Sequence, residues 1–260
     1  MTFSIDTILE ELYGLQRLGI KVGLEHTVQL LNEIGNPHKK LRLVHVAGTN
    51  GKGSTCSILT KILIDHGLKV GLYTSPHLRK FNERIKINGC QILDEYIATF
   101  FNENRAKINQ IEATFFETTT AMAFNYFKDQ EVEYAVIETG LGGRLDSTNV
   151  IIPKVCGITS ISLDHTEILG DTIEEIAIEK AGIIKQGVPT FTFDQKPSVL
   201  EILKDEADKK NSNLYITAES EIDVIKSGED VTFFNYFGLE FELPLIGDHQ
   251  VKNCVLAINI

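Results

Sequence analysis

Runs of apolar residues alternate along the chain with segments in which apolar residues recur at helical spacing. The run "LRLVHVAG" is typical of a buried parallel strand. Later runs of the same kind are "LKVGLYTSP", "VEYAVIETG", "KVCGITSISLDH" and "GVPTFTF". Helical spacing fills the intervals, from Ile58 to Gly67 and near 93–110, 117–128, 173–184 and 198–210. This alternation predicts an α/β fold, a mostly parallel sheet with helices on both faces.

The two ends of the chain carry other patterns. Helical spacing near 6–16 and 25–34 precedes the first strand, and Gly35-Asn36-Pro37 closes the second helix. From about residue 214, "VTFFNYF" and "LEFELPL" alternate apolar and polar residues around a glycine, which predicts a small antiparallel hairpin region. We expect one domain over 1–246. Residues 247–260 read as the start of a helix without a terminal cap, and we expect it to lead into a further domain.

Composition and charge exclude several classes of protein. The 260 residues include 25 lysines and arginines against 36 acids, a net charge of −11, which disfavours a non-specific nucleic-acid binder. The cysteines at 56, 90, 156 and 254 form no CxxC pair, so neither a zinc site nor a disulfide framework is indicated. No apolar run is long enough to cross a bilayer, and the N-terminal residues do not resemble a signal peptide. We expect a monomeric cytoplasmic protein with neither nucleic-acid nor membrane partners.

The strongest chemical signal is the glycine-rich segment "HVAGTNGKGST" at 45–55. A strand, a glycine-rich turn and a helix start together present backbone N–H groups to phosphates. Lys52 would reach the terminal phosphates, with Ser54 or Thr55 near a magnesium ion. Gly53 separates the lysine from the hydroxyl residue, so the spacing departs from the usual P-loop. A plain strand-to-helix connection is the alternative, but the lysine and hydroxyls favour phosphate binding.

Other predicted strands end in polar side chains. Ser75, Glu138 and Asp164-His165 follow three of the apolar runs. Because ligands of an open α/β sheet bind at the carboxyl ends of its strands, we expect these residues and Lys52 along one rim. Ser75 and Glu138 offer the oxygen atoms that magnesium prefers. His165 is a less usual magnesium ligand, and a purely structural histidine is the alternative.

The segment "TIEEIAIEKAGIIK" contains a lysine in an unexpected place. Thr172 and Glu175 form a capping-box signature, and Ile173 and Ile176 begin an apolar stripe. At helical spacing Lys180 falls in the middle of that stripe. Burying an unpaired ammonium is costly, so the position indicates a function. A lysine whose stem packs on the core while its amine reaches solvent is the alternative.

A second glycine-rich segment, "GLGGRLDSTN" at 140–149, follows Glu138. Its glycines, with Arg144 and Asp146, suggest a loop that folds tightly over the site. Alone, this motif is a weak signal.

In combination these motifs resemble the folylpolyglutamate synthase/dihydrofolate synthase family, within the Mur-type ATP-dependent ligases. The matching stretches run in family order from residue 45 to 253: "GTNGKGST", "TSPHL", "NERI", "TFFETTTAMAF", "ETGLGGRLDSTNV", "SLDHTEILGDTIEEIAIEKAGIIK" and "GDHQVKN". The glycine after Lys52 favours the folate branch over the cell-wall ligases.

The resemblance implies roles at the matching positions. ATP would be bound by Thr49, Asn50, Gly51, Lys52, Gly53, Ser54 and Thr55, with Asn253 at the adenine. Two magnesium ions would be held by Ser75, Glu138, His165 and a carbamylated Lys180. The pterin or folate would be bound by Thr114, Phe116, Glu117, Arg144, Leu145, Asp146 and Ser147. The catalytic group would be Lys52, Glu138, His165 and Lys180.

The implied reaction adds L-glutamate to dihydropteroate or a folate, using ATP and an acyl-phosphate intermediate. The family has a second, smaller domain, and without it we expect the chain to be inactive. Two alternatives stay open: a Mur-type cell-wall amino-acid ligase, and a P-loop nucleotide-binding module without catalysis.

Overall fold

The computed structural model describes residues 4–19 and 23–260. The α-helices in these ranges are α1 (Ile5–Gly14), α2 (Glu25–Glu33), α3 (Lys52–Asp65), α4 (Asp94–Ile111), α5 (Phe115–Asp129), α6 (Thr166–Leu169), α7 (Ile173–Ala181), α8 (Pro197–Lys209) and α9 (Asp248–Asn259). The strands are β1 (Leu43–Ala47), β2 (Val70–Tyr73), β3 (Ile85–Ile87), β4 (Cys90–Gln91), β5 (Tyr134–Glu138), β6 (Val155–Ile158), β7 (Thr190–Phe193), β8 (Leu214–Thr217), β9 (Ile222–Ser227), β10 (Thr232–Tyr236) and β11 (Leu239–Leu243).

The main sheet has eight strands in the order β4-β3-β2-β5-β1-β6-β7-β8. From β2 to β8 in this order, each strand is parallel to the next. At the other edge β3 and β4 run antiparallel. The predicted α/β fold with a mostly parallel sheet is therefore confirmed. In the part of the chain that the structure describes, no helix combines the length and apolar character needed to cross a membrane.

Alternation along the central strand β1 explains why helices cover both faces. Leu43 and Ala47 point to the same face of the sheet. Leu43 packs with α1, α2, α4 and α5, and Ala47 packs with α7 and α8. Val44 and Val46 point to the opposite face, which α3 and α9 cover. All five residues of β1 are buried, because both faces are covered.

The small antiparallel region is confirmed and has one strand more than predicted. β10 and β11 pair around Gly238, and β9 adds to the other side of β10. The predicted start of this region near residue 214 was wrong, because β8 pairs in parallel with β7 and completes the main sheet. Since β8 is an edge strand with an exposed Tyr215, it lacks the apolar run of a buried strand.

The predicted strand "KVCGITSISLDH" is too long. β6 ends at Ile158, and the chain beyond it leaves the sheet. The carbonyl of Ser160 accepts hydrogen bonds from the backbone N–H groups of Thr49 (2.8 Å) and Asn50 (3.4 Å). These bonds replace the pairing that a strand would make, so His165 lies in a loop rather than at a strand end.

Helix α7 begins as the sequence predicted. The Thr172 hydroxyl accepts from the Glu175 N–H at 3.2 Å, and the Glu175 carboxylate accepts from the Thr172 N–H at 3.1 Å. The helix ends at Ala181, before the predicted 184, and Gly182 follows it. Lys180 is 2% exposed, so it does enter the core.

Close packing of α5 on β2 allows a test of the fold. A Cβ on Gly71 in β2 would lie 2.7 Å from the ring of Phe127, which is fully buried. We expect Gly71→Ala to lower the free energy of unfolding by about 1–3 kcal/mol through overpacking. Urea denaturation followed by circular dichroism measures this change.

Gly14 provides the matched control. It lies at the end of α1 at a φ of −56°, and a Cβ there meets nothing within 4 Å. Gly14→Ala should therefore leave stability unchanged or raise it by up to about 1 kcal/mol. Equal urea midpoints for Gly71→Ala and Gly14→Ala would contradict this account of the packing.

Candidate functional site

The turn between β1 and α3 contacts the last helix directly. Gly51, the residue before α3, has a φ of +87°, which favours glycine. A Cβ there would lie 2.1 Å from the side-chain oxygen of Asn253 on α9. The backbone carbonyl of Asn253 also accepts from the Thr55 hydroxyl at 3.5 Å. Residues about 200 positions apart in sequence are thus brought together, as the motif analysis expected.

Two lysines donate to a single carbonyl within this turn. Lys52 Nζ lies 3.0 Å from the Gly48 oxygen and 3.2 Å from the Thr49 oxygen. Lys180 Nζ, from α7, lies 2.8 Å from the same Gly48 oxygen. Neither ammonium forms an ion pair with a carboxylate in the described ranges 4–19 and 23–260. The turn is therefore rich in positive charge, with no carboxylate of the described residues at ion-pair distance.

This arrangement affects the acidity of Lys180. Burial, and then the charge of Lys52, lowers the pKa of Lys180 to about 8. Asp164 and Asp146 act in the opposite direction with smaller effect. At pH 7, about a tenth of the Lys180 amine is consequently neutral, far more than for an ordinary lysine.

Glu138, at the end of β5, lies between the turn and the loop after β2. Its Oε2 atom accepts from the Ser75 backbone N–H at 2.9 Å, and the residue is 4% exposed. A Cβ on Gly53 would lie 3.6 Å from Glu138 Oε1, so the start of α3 faces the carboxylate. Burial raises the pKa of Glu138 to about 7, although the Ser75 N–H and Lys52 oppose the rise.

His165 is placed differently from the other proposed metal ligands. It precedes the short helix α6, with its side chain 58% exposed and Nε2 3.7 Å from Asp164 Oδ1. Among the described residues, no three His, Cys, Asp or Glu side chains lie close enough together to hold a metal ion. Ser75 and Glu138 are thus in direct contact, whereas no contact joins His165 to either.

A cavity of about 450 Å³ adjoins this region. Residues predicted for the pterin pocket that do line it are Thr114, Phe116, Arg144, Leu145, Asp146 and Ser147. The other lining residues are Gln16, Gly19, Phe115, Gly140, Leu141, Ile168, Leu169 and Glu179. Two phenylalanines in the wall suit a flat aromatic ligand. Glu117 does not line the cavity, because its carboxylate accepts from the Thr114 N–H at 2.7 Å in a capping box.

The buried carboxylate of Asp146 holds one wall of the cavity in shape. It accepts from the N–H groups of Gly140 (2.9 Å), Leu141 (2.8 Å) and Thr148 (2.9 Å), and from the Thr148 hydroxyl. Burial raises the pKa of Asp146, and these hydrogen bonds oppose the rise. The loop that carries Arg144 is fixed on α7, where Arg144 Nη2 lies 2.7 Å from Glu179 Oε1.

The sequence analysis did not predict some of the residues that line the cavity, and only some of these could have been found from sequence motifs. Phe115 adjoins Phe116, and Gly140 and Leu141 belong to the quoted glycine-rich loop, so wider motif boundaries would have included them. Gln16 follows α1, far away along the chain, and its sequence context gives no sign of the cavity.

Comparisons with known proteins agree with this geometry. A family profile described as "Mur ligase middle domain" matches residues 46–260. A dihydrofolate synthase/folylpolyglutamate synthase of Bacillus subtilis is 40% identical over 260 residues, covering 95% of this chain and 60% of the relative. The dihydrofolate synthetase of Saccharomyces cerevisiae is 40% identical over 250 residues, covering 94% and 58%.

Solved structures give the same result. Folylpolyglutamate synthase from Thermotoga maritima has a TM-score of 0.88 at 38% identity, covering 97% of this chain and 61% of that one. A complex of FPGS, a folylpolyglutamate synthase, with AMPPCP and folate has a TM-score of 0.89 at 34% identity, covering 99% and 66%. The chain thus spans about three fifths of the length of these relatives. The family profile accounts for most of its residues, and we conclude that the chain belongs to the Mur ligase middle-domain family.

Proposed function

We propose that this chain acts in the ATP-dependent joining of L-glutamate to dihydropteroate, a folate, or both. The observation that carries the proposal is that a cationic, phosphate-type turn and an aromatic cavity are linked by neighbouring residues: Lys180 donates to Gly48 in the turn, and Glu179 lines the cavity. Glu138 lies two positions before the cavity residue Gly140, and the cavity residue Glu179 directly precedes Lys180. Names of the relatives support this reaction, since they are called dihydrofolate and folylpolyglutamate synthases and one is solved with AMPPCP and folate.

In this proposal the turn binds the phosphates of ATP. The proposed contacts are Thr49, Asn50, Gly51, Lys52, Gly53, Ser54 and Thr55, with Asn253 at the adenine. A triphosphate would supply the anion that the Lys52 ammonium group lacks. The substrate carboxylate must approach the terminal phosphate to form an acyl phosphate, so two anions meet. Lys52 would weaken their repulsion.

Two magnesium ions are part of the proposal, with Ser75, Glu138, His165 and Lys180 as their ligands. Bound magnesium would contribute positive charge beside the phosphates. Glu138 suits such a ligand, because it is a buried carboxylate with a raised pKa and forms no ion pair with a described residue. A nearby cation would favour its ionised form.

For Lys180 we propose carbamylation by carbon dioxide. The neutral amine would attack the carbon atom, so that an N–C bond forms as one C=O π bond opens to a carboxylate, and the nitrogen would lose a proton to water. The product is an anion with two oxygen atoms, so it changes a buried cation into a possible metal ligand. The lowered pKa of Lys180 and the nearby charge of Lys52 both favour the modified form.

The cavity would hold the pterin. A flat ring could stack on Phe116, against the loop that Asp146 fixes, with Thr114, Arg144, Leu145 and Ser147 around it. Glu117 would act indirectly by capping α5. The monomeric state and the cytoplasmic location stay predictions.

Substitution of Lys52 in the natural gene product tests the proposed reaction. That protein should form ADP and a glutamylated pterin only when ATP, magnesium, glutamate and pteroate or folate are all present. Lys52→Gln should weaken AMPPCP binding by about 10-fold to 100-fold and abolish turnover, because a charged hydrogen-bond donor to phosphate is lost. Calorimetry and a coupled ADP assay measure the two effects.

Lys61→Gln is the matched control, since it removes an exposed lysine from the same helix. It should leave nucleotide binding and turnover unchanged. Near-normal ADP release by the Lys52 variant would contradict the assignment, and absence of glutamylated product from the unaltered protein would refute the proposed reaction.

If Lys180 is carbamylated, the protein should take up one isotopically labelled carbon atom from bicarbonate at this residue. Protein equilibrated with ¹³C-bicarbonate should show one buried carbamate carbon by NMR, and acid should release it as carbon dioxide. Lys180→Arg should remove the signal. Lys185→Arg is the control, because Lys185 is also partly buried with a lowered pKa, yet donates to the Asn149 carbonyl at 3.0 Å. A signal that persists in Lys180→Arg would exclude this site.

The raised pKa of Glu138 predicts that the stability of the metal-free protein depends on pH. Its pKa rises from 4.5 to about 7 on folding, so the folded state holds the proton more tightly. The resulting stabilisation is complete below pH 4.5 and is lost as pH rises through 7. The loss is at most about 3 kcal/mol. Glu138→Gln keeps an acceptor for the Ser75 N–H and removes the charge.

Relative to the unaltered chain, Glu138→Gln should therefore be more stabilising at pH 8 than at pH 5. Thermal denaturation with EDTA at the two pH values measures the difference. The same shift at both pH values would show that Glu138 does not titrate between them.

A further inference from the structure

Arg84 is a buried cation without an anionic partner. It ends a short 3₁₀ helix, Phe81–Arg84, and is 7% exposed. Within residues 4–19 and 23–260, no carboxylate forms an ion pair with it. Arginine remains charged at any pH at which the protein folds, so neutralisation by proton loss is not open to it. Buried arginines ordinarily pair with an acid.

The hydrogen bonds of Arg84 leave one end of its side chain free of described acceptors. Nε donates to His77 Nδ1 at 2.8 Å, and that bond makes Nδ1 the unprotonated nitrogen of the ring. His77 Nε2 lies 3.4 Å from the Tyr13 hydroxyl, which anchors the imidazole from its other side. No residue that the structure describes accepts a hydrogen bond from the terminal nitrogens Nη1 and Nη2.

The guanidinium packs against the wall of the cavity, although Arg84 is not itself a lining residue. Its Cζ atom is 5.1 Å from the ring centroid of Phe115, which lines the cavity. Its backbone carbonyl accepts from the Thr74 N–H at 2.9 Å, one residue before the Ser75 that donates to Glu138. Arg84 is also close enough for its charge to act on Glu138. Arg84 therefore contacts the cavity wall through the Phe115 ring and the loop after β2 through the Thr74 N–H.

We propose that Arg84 binds the carboxylate of the aromatic substrate in the cavity, through Nη1 and Nη2. The planar fork of a guanidinium matches a carboxylate with two parallel hydrogen bonds. His77 and the Phe115 ring would hold the fork in position before the substrate arrives. The proposal rests on the proposed function, since it takes the cavity ligand to be a pterin that carries a carboxylate.

Such binding would orient the substrate as well as neutralise it. With its ring on Phe116 and its carboxylate on Arg84, the substrate would extend from the cavity toward Ser75 and Glu138. The carboxylate would then lie on the side of the cavity where the ATP phosphates are proposed to bind. Arg84 would thus decide that only ligands ending in an acid are held in the reactive position.

Two ligands that differ in one group test this role. Pteroate carries the carboxylate, and its carboxamide analogue has the same ring system without the charge. Calorimetry or fluorescence titration, with AMPPCP present, gives the affinity of each. Arg84→Gln should weaken pteroate binding about 10-fold to 100-fold and amide binding less than about threefold. Arg84→Lys should weaken pteroate by an intermediate factor, because the charge remains and the fork is lost.

Arg79→Gln is the matched control, since it removes an exposed arginine from the same loop. It should change neither affinity. Equal weakening of both ligands by Arg84→Gln, or no weakening, would overturn the proposal. If circular dichroism shows that Arg84→Gln does not fold, Arg84→Lys decides: a selective loss of pteroate supports the proposal, and unchanged affinities overturn it. Failure of the unaltered protein to bind either ligand would instead refute the proposed function.

Discussion

The carbonyl oxygen of Gly48 accepts hydrogen bonds from two lysines, and the organisation of the site depends on this shared acceptor. It ties α7 to the turn before α3 and brings two ammonium groups together with no described carboxylate between them. Burial and mutual repulsion reduce the basicity of Lys180. An anion in the turn would relieve this repulsion, which is why triphosphate binding and carbamylation fit the same arrangement.

The parallel sheet supplies the geometry that this interaction needs. β1, β2, β5 and β6 run in the same direction, so the segments that follow them emerge at one edge. The phosphate-type turn, the Ser75 loop, Glu138 and the 159–165 loop therefore gather there. Positive charge collects at the turn and aromatic surface in the neighbouring cavity; Glu138 lies beside the turn, and Arg84 packs on Phe115 in the cavity wall.

Local patterns were sufficient to predict most of this arrangement. The parallel sheet, the turn at 48–51 and the inward placement of Lys180 follow from periodicity and capping signals. The misplaced end of β6 has a different cause, because Thr49 and Asn50 take the hydrogen bonds of Ser160. Only tertiary contacts reveal that competition. The sequence did not single out Arg84 for the same reason, since nothing local shows that an arginine in "NERI" is buried without an acid.

Because Gly51 contacts Asn253, the phosphate-type turn is not a self-contained segment that can be moved to another protein. The space beside Gly51 is filled by an amide from the far end of the polypeptide, which also packs α9 on α3. A graft of residues 45–55 into another scaffold would keep the motif residues but lose the packing of Asn253 against Gly51. Transplantation would have to include α9, or supply a substitute of the same shape.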